Sequence, residues 1–401
     1  MLKRIHIKNC LSFEDFKIDL ERINVIVGRN NSGKTNFCRV LQFLKLSQET
    51  DLNDAFRRSM GYTARFLNFG SERSYAEFSM ECELPGASGR NRKSAFNYSL
   101  KVRCDGCDVI KAKPILTVEN ETLKVKRAGS DEITLIKNVR GKTTLMREKT
   151  TKKTKKWASI EEKIKPEKTM LSELVDSDEY EMSNQFKKYL RLIANFDIEP
   201  RYLKSIEIDR RMMLDGRGNN LWWSVYVLKN ERKDFYRDYL TLVQMIEPGI
   251  VEIEIDDEKI RHQAYADPAF SGRDDHHFEL DSVSGGTLRF MGLAMILIMS
   301  EMYFKELKIS PTFTIEEPEN GIHAGMLKLL YNLFKESPGQ IIFTSHSPFM
   351  IDLFDDNIDG LKVLENQNGR TAPVRVDKRK IKKLLEKMPL GDMHFYGVFT
   401  P

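Results

Sequence analysis

Residues 28–35 are Gly28-Arg29-Asn30-Asn31-Ser32-Gly33-Lys34-Thr35, which fits the pattern GxxxxGK[ST]. The stretch lies between a β-type run, INVIVG, and a helical pattern, FCRVLQFLKL. Glycines let the backbone wrap closely, so that successive N–H groups and the helix N-terminus face bound phosphates. We expect Lys34 to reach the β- and γ-phosphates and Thr35 to supply a hydroxyl to Mg²⁺. The stretch therefore predicts a phosphate-binding loop between a strand and a helix.

A second strand pattern ends in carboxylates. The apolar run Thr312-Phe313-Thr314-Ile315 is followed by Glu316-Glu317-Pro318-Glu319-Asn320. The end of such a strand is where metal and water sit in phosphoryl-transfer sites. We expect Glu316 to serve Mg²⁺ through water and Glu317 to polarise the attacking water. An acidic loop after a core strand is common by itself, and the phosphate-binding loop in the same chain favours the catalytic interpretation.

Two further elements complete the pattern. The apolar strand Ile341-Ile342-Phe343-Thr344-Ser345 delivers His346, which is well placed to sense a γ-phosphate. The run Ser282-Val283-Ser284-Gly285-Gly286-Thr287 opens a long helix that ends at Leu307. Small residues at a helix N-terminus make an anion site without side-chain bulk. A lone structural histidine and an ordinary helix cap are the alternatives for each element taken alone.

The remaining pattern predicts an α/β fold. Turn-punctuated alternation from about Tyr75 to Leu135 predicts an antiparallel meander. Helical patterns cover Glu179 to Phe196, Asn230 to Ile246 and Gly325 to Lys335, and VEIEID predicts another strand. We expect an N-terminal lobe of residues 1–135, a basic and helical insertion of residues 136–200, and a C-terminal lobe of residues 201–401.

Composition excludes several classes of protein. With 401 residues and 41% hydrophobic content, the chain can bury one large core or two moderate ones. The most apolar stretch, Phe290 to Met299, is too short to span a membrane, and the N-terminus lacks a signal-peptide core. We therefore expect a cytoplasmic, globular protein that is not inserted in a membrane.

The cysteines argue against a disulfide framework. Five cysteines at uneven spacing predict reduced thiols. Cys104 and Cys107 form a CxxC, but zinc needs a second pair of ligands that the chain does not offer convincingly. Asp105-Gly106 between them is a favoured hairpin turn, joining FNYSLKVRC to CDVIKAK.

The net charge of +5 is concentrated in one segment. Residues Arg140 to Lys168 carry eleven Lys/Arg against four Glu, a local charge of +7 that leaves −2 for the rest of the chain. The segment has few apolar residues and is predicted to be mobile or marginally helical. A smaller basic run, Arg375 to Lys387, has helix-like spacing. Both runs are either solvated faces or surfaces that attract phosphate backbones or an acidic partner.

The order GRNNSGKT, SVSGGT, TFTIEEPENGIH and FTSHSP resembles Walker A, signature, Walker B with D-loop, and H-loop of ABC-type ATPases of the SMC/RecF/OLD group. The opening segment, LKRIHIKNCLSFEDFKIDLERINVIVGRNNSGKTN, is also similar to that group. The likeness covers about residues 1–75 and 200–365. It implies an α/β head that binds and hydrolyses Mg-ATP in a site shared by two copies of the chain, as a homodimer or higher homo-oligomer.

The resemblance assigns a role to each motif. Glu317 and His346 are implied to be catalytic, and Thr35 and Glu316 to hold Mg²⁺. The residues implied to contact ATP are Gly28, Asn30, Asn31, Ser32, Gly33, Lys34, Thr35 and Asn36. Ser284, Gly285 and Gly286 are implied to close over the γ-phosphate of the second copy, with Glu319 and Asn320 at that interface.

Within the group, EEPENGIH and SHSPFMID most resemble OLD-like ATPases, including ATPase subunits of bacterial anti-phage systems such as PARIS and Septu. Three features depart from the wider pattern: Glu316 replaces the more usual Asp, no Q-loop glutamine can be placed, and no long heptad region links the halves. A Toprim nuclease domain follows the H-loop in OLD proteins, and only 55 residues follow His346 here, so we expect this chain to lack a nuclease of its own.

We therefore predict an ATPase sensor or scaffold that works in phage defence with a separately encoded effector. Nucleic acid is a possible second partner, through Arg140 to Lys168. Two alternatives stay open. One is a RecF-like DNA-repair ATPase, and the other is a nucleotide-locked binding platform with negligible turnover.

Overall fold

The computed structural model describes the chain except residues 62–64, 70, 86–92, 107–113, 128, 151–154, 205–213, 256–262, 267–276, 280–282 and 400–401. It gives only the backbone of residues 148–150, 155–156, 254, 263–266 and 277–279.

Strands occur in both halves of the described chain. They are β1 Leu2–Cys10, β2 Phe13–Asp19, β3 Ile23–Val27, β4 Tyr75–Pro85, β5 Lys93–Asp105, β6 Ile115–Arg127, β7 Ile133–Val139, β8 Lys142–Thr150, β9 Lys155–Lys163, β10 Ile193–Phe196, β11 Ile253–Ile255, β12 Gln263–Ala266, β13 His277–Glu279, β14 Thr312–Glu316, β15 Gln340–Ser345, β16 Leu361–Gln367 and β17 Arg370–Val374.

Helices connect and cover these strands. They are α1 Lys34–Leu46, α2 Leu52–Met60, α3 Met170–Glu173, α4 Glu181–Arg191, α5 Pro200–Leu203, α6 Leu221–Glu231, α7 Lys233–Gln244, α8 Gly285–Leu307, α9 Ala324–Glu336, α10 Pro348–Asp352, α11 Lys378–Leu384 and α12 Leu390–Phe395.

The sheets form two main layers. The antiparallel sheet has the order β2-β1-β4-β5-β6-β7-β8-β9. The second sheet has the order β10-β14-β15-β3-β16-β17 and is parallel except for β17. A small sheet, β11-β12-β13, stands apart. Because β3 and β15 are buried along their whole length, their sequences are continuous apolar runs, as is usual for parallel strands covered on both faces.

One buried side chain ties the two main layers together. Gln340 Nε2 donates to the carbonyls of Leu2 and Glu21, at 2.7 and 2.8 Å. Its Oε1 accepts from the Leu2 N–H at 2.9 Å and from the Thr312 hydroxyl at 3.0 Å. Gln340 is fully buried, so water cannot reach its side chain, and these bonds provide the hydrogen-bond partners that its amide needs. The strand that carries the N-terminus is thereby fixed against the parallel sheet.

Helix α8 forms the centre of the C-terminal half. Among the helices that the structure describes, it is the one long and apolar enough to cross a membrane. However, 89% of its most apolar stretch is buried inside the protein. A helix that is apolar on every side is typical of a protein core. The interior position therefore accounts for its composition.

The predicted meander is confirmed, and it extends further than expected. Residues Arg140 to Lys168, predicted to be mobile or marginally helical, instead contain β8 and β9, which pair from Lys142↔Lys163 to Thr150↔Lys155. The helical prediction for this segment is wrong because β7 offers β8 a ladder partner. The few apolar side chains here also contribute: Leu145 is buried and Trp157 packs against the core.

Two other predictions need correction. The helical pattern over Glu179 to Phe196 ends at Arg191, because Ile193–Phe196 pairs in parallel with β14 as a strand. The pattern over Asn230 to Ile246 contains the end of α6 and then α7, separated at Arg232.

Cysteine chemistry also differs in part from the prediction. Cys10, Cys38 and Cys82 are free thiols, as expected. Cys104 is in a disulfide, so the prediction of reduced thiols is wrong there. The number and spacing of the cysteines do not show that Cys104 lies at the end of a strand, beside a tight turn. Such a turn brings two chain segments close together. Cys107 and the predicted strand CDVIKAK lie outside the described residues, whereas Gly106, in the predicted turn before them, is described.

Candidate functional site

The candidate site forms where three neighbouring strands end. β14, β15 and β3 are parallel neighbours, with Ile315↔Phe343 and Ser345↔Val27 in register. Their carboxyl ends lie at one edge of the sheet, which is where open α/β sheets bind ligands. The phosphate-binding loop follows β3, the carboxylates end β14, and His346 follows β15. The predicted motifs, far apart in sequence, are therefore brought to one edge.

The loop adopts a conformation that requires glycine. Gly33 has φ +100°, and a Cβ there would lie 2.3 Å from the Thr371 hydroxyl. A Cβ at Gly28 would lie 2.4 Å from the Leu364 carbonyl oxygen. The β16–β17 hairpin thus packs so tightly on the loop that side chains are excluded at both positions. This contact explains why glycine is needed at positions 28 and 33 of this chain.

Asn31, Ser32 and Asn36 belong to the same loop and first helical turn. Asn31 has φ +66°, a left-handed conformation that asparagine tolerates better than most residues. Ser32 is buried, and its hydroxyl has no hydrogen-bond partner within the described residues. Asn36 donates through Nδ2 to the Ser12 hydroxyl at 2.9 Å. Asn30 is exposed beside them. A buried unpartnered hydroxyl in a phosphate-binding loop is available to a ligand.

Lys34 begins α1 and is 8% exposed. Its Nζ donates to the Gly28 carbonyl at 2.7 Å and to the Arg29 carbonyl at 3.2 Å. Burial lowers the pKa of Lys34, and the nearby carboxylates, Glu317 foremost, oppose that effect. The loop therefore holds a largely desolvated cation at the end of β3, which is the charge that phosphate groups need.

Thr35 and Glu316 are adjacent in space although far apart in sequence. The Thr35 hydroxyl donates to Glu316 Oε2 at 3.0 Å, and Asn195 Nδ2 donates to Glu316 Oε1 at 2.9 Å. Burial raises the pKa of Glu316, and these two hydrogen bonds partly offset it. Asn195 was not predicted as a site residue, because its segment was taken for the end of a helix.

This pair fits Mg²⁺ but does not make a complete metal site. Hydroxyl and carboxylate oxygens are the ligands that Mg²⁺ accepts, with phosphates and water completing its coordination. Among the described residues, no group of three or more His, Cys, Asp or Glu could hold a metal by itself. The donor set is therefore suited to Mg²⁺ that arrives with a nucleotide rather than to a resident metal.

Glu317 is held in an unusual backbone conformation next to His346. Its φ is +44°, in the left-handed region, and its N–H donates to the Thr344 carbonyl at 2.9 Å. The carboxylate lies 3.1 Å from His346 Nδ1 through Oε1 and accepts from Asn320 Nδ2 at 2.7 Å through Oε2. The Glu317 carbonyl accepts from Arg289, at 2.7 Å from its Nη2. Arg289 is a second residue that the sequence analysis missed.

The two predicted D-loop residues face their own chain here. Asn320 contacts Glu317, as described above, and the Ser345 hydroxyl donates to Glu319 Oε1. Glu319 Oε2 is buried without a hydrogen-bond partner in the described part of the chain. These contacts connect the turn after β14 to the end of β15.

The predicted signature residues start α8. Ser284 caps the helix by accepting the Thr287 N–H at 3.0 Å, and Ser284 and Gly285 are exposed. A Cβ at Gly286 would lie 2.9 Å from the Gly321 carbonyl oxygen, so the helix start touches the turn that follows Glu317. Ser282 lies outside the described residues. The structure thus places an exposed helix N-terminus beside the turn that follows Glu317 in the same chain.

The C-terminal segment also reaches the site. Helix α12 packs on α10, which begins just after His346, and the Gly391 N–H donates to Asp352 at 2.7 Å. Burial lowers the pKa of His394, and the positive charges of Lys34 and Arg29 lower it further. Nothing in the sequence of this segment indicated that position.

Comparison with known families agrees with this arrangement. A family model described as "AAA ATPase domain" matches residues 1–211, which is more than half of the chain. A second, described as "AAA domain, putative AbiEii toxin, Type IV TA system", matches residues 194–352. No curated protein matches the chain.

Solved structures provide the fold comparison. The Smc head bound to the C-winged helix domain of ScpA is 12% identical, with a TM-score of 0.53, and the alignment covers 94% of this chain and 99% of that one. An SMC head from Thermotoga maritima gives 14% identity, a TM-score of 0.44 and coverage of 94% and 99%. The ScpA-bound head is similar enough to show a shared fold. With its phosphate-binding loop, acidic strand end and histidine at one sheet edge, the chain belongs to the AAA ATPase domain family and has the fold of an SMC head.

Proposed function

We propose that this protein binds Mg-ATP at Gly28–Thr35 and hydrolyses it in a composite site made by two copies of the chain. The observation that carries the proposal is the convergence of Lys34, Thr35 with Glu316, and Glu317 with His346 at one edge of the parallel sheet. Each of these groups corresponds to a part that phosphoryl transfer requires.

The residues divide the chemistry between them. Lys34 binds the β- and γ-phosphates, and Thr35 and Glu316 hold Mg²⁺. When bound, Mg²⁺ neutralises charge that develops on the transferred phosphoryl group. Glu317 orients and polarises the attacking water, and His346, 3.1 Å from its carboxylate, responds to the γ-phosphate and keeps that carboxylate in position.

The second copy is proposed to supply Ser284, Gly285 and Gly286. Two of these residues are exposed, and they open a helix of 23 residues whose N-terminus attracts anions. Because side-chain bulk is small here, a γ-phosphate on another subunit can approach the backbone closely. Glu319 and Asn320, in contact with this helix start through the adjacent turn, would lie at the same interface.

The composite site can be tested with two substitutions. Glu317→Gln keeps the shape of the carboxylate but cannot polarise water, so turnover should fall about 100-fold or more and ATP should persist as the link between two heads. With Mg-ATP, light scattering should show the mass doubling from 46.6 kDa. Adding Ser284→Arg should leave ATP binding intact and abolish this association.

Ser130→Arg is the matched control, because Ser130 is an exposed serine in the turn between β6 and β7. When Ser130→Arg is added to Glu317→Gln, the protein should dimerise with Mg-ATP as Glu317→Gln alone does. Turnover at the wild-type rate in Glu317→Gln would exclude its role as general base. Unchanged ATP-dependent association in Ser284→Arg would exclude the composite site.

We further propose that the ATPase serves as sensor or scaffold in a bacterial anti-phage system with a separately encoded effector. The likeness of EEPENGIH and SHSPFMID to OLD-like defence ATPases supports this, as does the AbiEii toxin named in the family description for residues 194–352. Copurification from the native host should recover an effector protein. Hydrolysis stimulated by duplex DNA alone would instead favour a RecF-like repair role, and tight ATP binding with negligible turnover a nucleotide-locked platform.

A further inference from the structure

Arg289 is a buried cation that none of the sequence motifs includes. It lies in the second turn of α8 and is 4% exposed. Its Nη2 donates to the Glu317 carbonyl at 2.7 Å, while Nε has no hydrogen-bond partner in the described part of the chain. Keeping a guanidinium out of water is costly, so a residue of this kind needs a compensating role.

The peptide that Arg289 holds is itself under conformational strain. Glu317 has φ +44°, in the left-handed region that is unfavourable for a residue other than glycine. Its carbonyl accepts from Arg289 and also from the Asn320 N–H, at 3.1 Å. Strained conformations persist only where the surroundings enforce them. Arg289 supplies a charged donor that does so.

The electrostatic surroundings keep Arg289 in place. Burial lowers the pKa of Arg289. The negative charges of four nearby carboxylates oppose that effect: Asp197, Glu319, Glu199 and Glu317. These carboxylates come from the segment after β10 and from the turn after β14. The guanidinium therefore lies among acidic groups from separate parts of the sheet edge and is not a partner in an isolated surface ion pair.

A second contact joins the same two elements. The space for a Cβ at Gly286 is occupied by the Gly321 carbonyl oxygen at 2.9 Å. The first turns of α8 thus touch the turn 317–321 at two points, through Gly286 and through Arg289. A displacement at the start of the helix would be passed on to the backbone that carries Glu317.

We propose that Arg289 is a positioning residue that fixes the backbone of Glu317 and couples it to the start of α8. The catalytic part of this inference rests on the proposed ATPase function. When the start of α8 engages a nucleotide on a second copy, Arg289 would bring the carboxylate of its own Glu317 to the productive position. Each site would then report its occupancy to the other.

The test compares Arg289→Met, which keeps the length but removes every donor, with Arg289→Lys, which keeps the charge and a donor. Lys305→Met is the control, since Lys305 is a more exposed cation near the other end of α8. Removing one partner from a buried group of charges can destabilise a protein strongly, so thermal unfolding first checks that Arg289→Met is folded. If it is not, Arg289→Lys, which keeps the charge but not the geometry of the guanidinium, is measured in its place. Three readouts are measured: affinity for a fluorescent ATP analogue, kcat, and amide hydrogen exchange at Asn320 and Ile322.

We expect Arg289→Met to bind the analogue within about twofold of wild type and to lose about 100-fold in kcat, as a small misplacement of a catalytic group can cause. Exchange at Asn320 and Ile322 should accelerate, because the turn loses a donor that holds it. Arg289→Lys should recover part of both effects, and Lys305→Met should show neither.

Unchanged exchange in Arg289→Met would overturn the positioning role, even if kcat falls. Accelerated exchange with wild-type kcat would overturn the link to catalysis. If the wild-type protein hydrolyses no ATP, the proposed function fails on its own, and the exchange measurement still decides whether Arg289 fixes the turn.

Discussion

Replacing Lys34 by methionine tests two things: how much its buried charge costs in folding free energy, and whether that charge is needed to bind nucleotide. Lys34 is 8% exposed, and its Nζ is satisfied by two carbonyls of its own loop. Burial lowers its pKa below the ordinary 10.5, so folding favours the neutral amine. The cost of the cation is therefore fully present below the lowered pKa and disappears as pH rises through 10.5. Methionine keeps the apolar stem and carries no charge.

Opposing effects set the expected change in stability. Each hydrogen bond from a charged donor contributes about 1.5–3 kcal/mol, and two are lost. Relief of desolvation returns several kcal/mol, on the order of the effective penalty for one buried ion. The net change in the free energy of unfolding should be within about 1–2 kcal/mol at neutral pH, since the two terms are of similar size.

Nucleotide should distinguish the variant clearly. If the protein binds ATP as proposed, ATP at 100 times its Kd should stabilise the wild-type protein by about 2.7 kcal/mol. With an unfolding entropy of about 2.1 cal/mol/K per residue over 401 residues, this corresponds to a rise in Tm of about 3 °C. Lys34→Met should show no such rise, because it lacks the charge that is proposed to bind the phosphates.

Thermal unfolding with and without Mg-ATP, together with titration of a fluorescent ATP analogue, measures both quantities. Lys328→Met is the control, because Lys328 is an exposed lysine on α9, and it should retain the full rise. The reasoning is wrong if Lys34→Met keeps wild-type affinity. It is also wrong if the variant loses more than about 3 kcal/mol without ligand, since Lys34 would then be a structural residue.

Two further variants test other parts of the molecule. The carboxylate of Glu121 is fully buried and accepts hydrogen bonds from Tyr98, Asn138 and the N–H groups of Met170 and Leu171. Glu121→Gln would place an amide N–H₂ against one of these donors. The free energy of unfolding, measured by urea denaturation, should therefore fall by about 2 kcal/mol. Burial raises the pKa of Glu121, so wild-type stability should fall as pH rises from 4.5 through the raised value, and a Gln variant with the same slope would contradict this. Replacing Lys152, Lys153, Lys155 and Lys156 by Glu should weaken nucleic-acid binding at least tenfold and reduce its logarithmic salt dependence by about 0.9 for each lost phosphate contact. Equal binding by both proteins at every salt concentration would leave this segment as a solvated hairpin.

Three of the motifs could be placed from sequence because each follows a strand whose mainly apolar composition indicates burial. INVIV and QIIFTS are buried throughout, and TFTI is buried up to Glu316. His346 after Ser345 was expected to lie near the carboxylates after Ile315, and the parallel register of β14 and β15 brings these two strand ends together. Strand β3 is parallel to β15, so the loop after Val27 lies at the same edge of the sheet.

Asn195 and Arg289 could not be found in the same way. The strand that carries Asn195 has four residues and follows a helix, so its extended conformation depends on pairing with β14, which local pattern does not encode. Arg289 lies in a helix that is otherwise apolar, and its partner is a backbone carbonyl 28 residues later. The β8–β9 hairpin has the same origin: its composition is that of a solvated segment, and the edge of an existing sheet makes it a strand.

The contacts within one chain set a condition on the proposed composite site. Ser284 and Gly285 are exposed and could meet a second copy without rearrangement, whereas Asn320 is bonded to Glu317 and Glu319 to Ser345. If Glu319 and Asn320 turn to a partner, these hydrogen bonds must be exchanged, at a net cost of about 0.5–1.5 kcal/mol each. Glu317 would at the same time lose one of the two groups that orient its carboxylate. Dimerisation through a bound nucleotide would then release Glu317 from Asn320 while Arg289 still held its backbone, so that the carboxylate becomes free to meet water only when both copies are engaged.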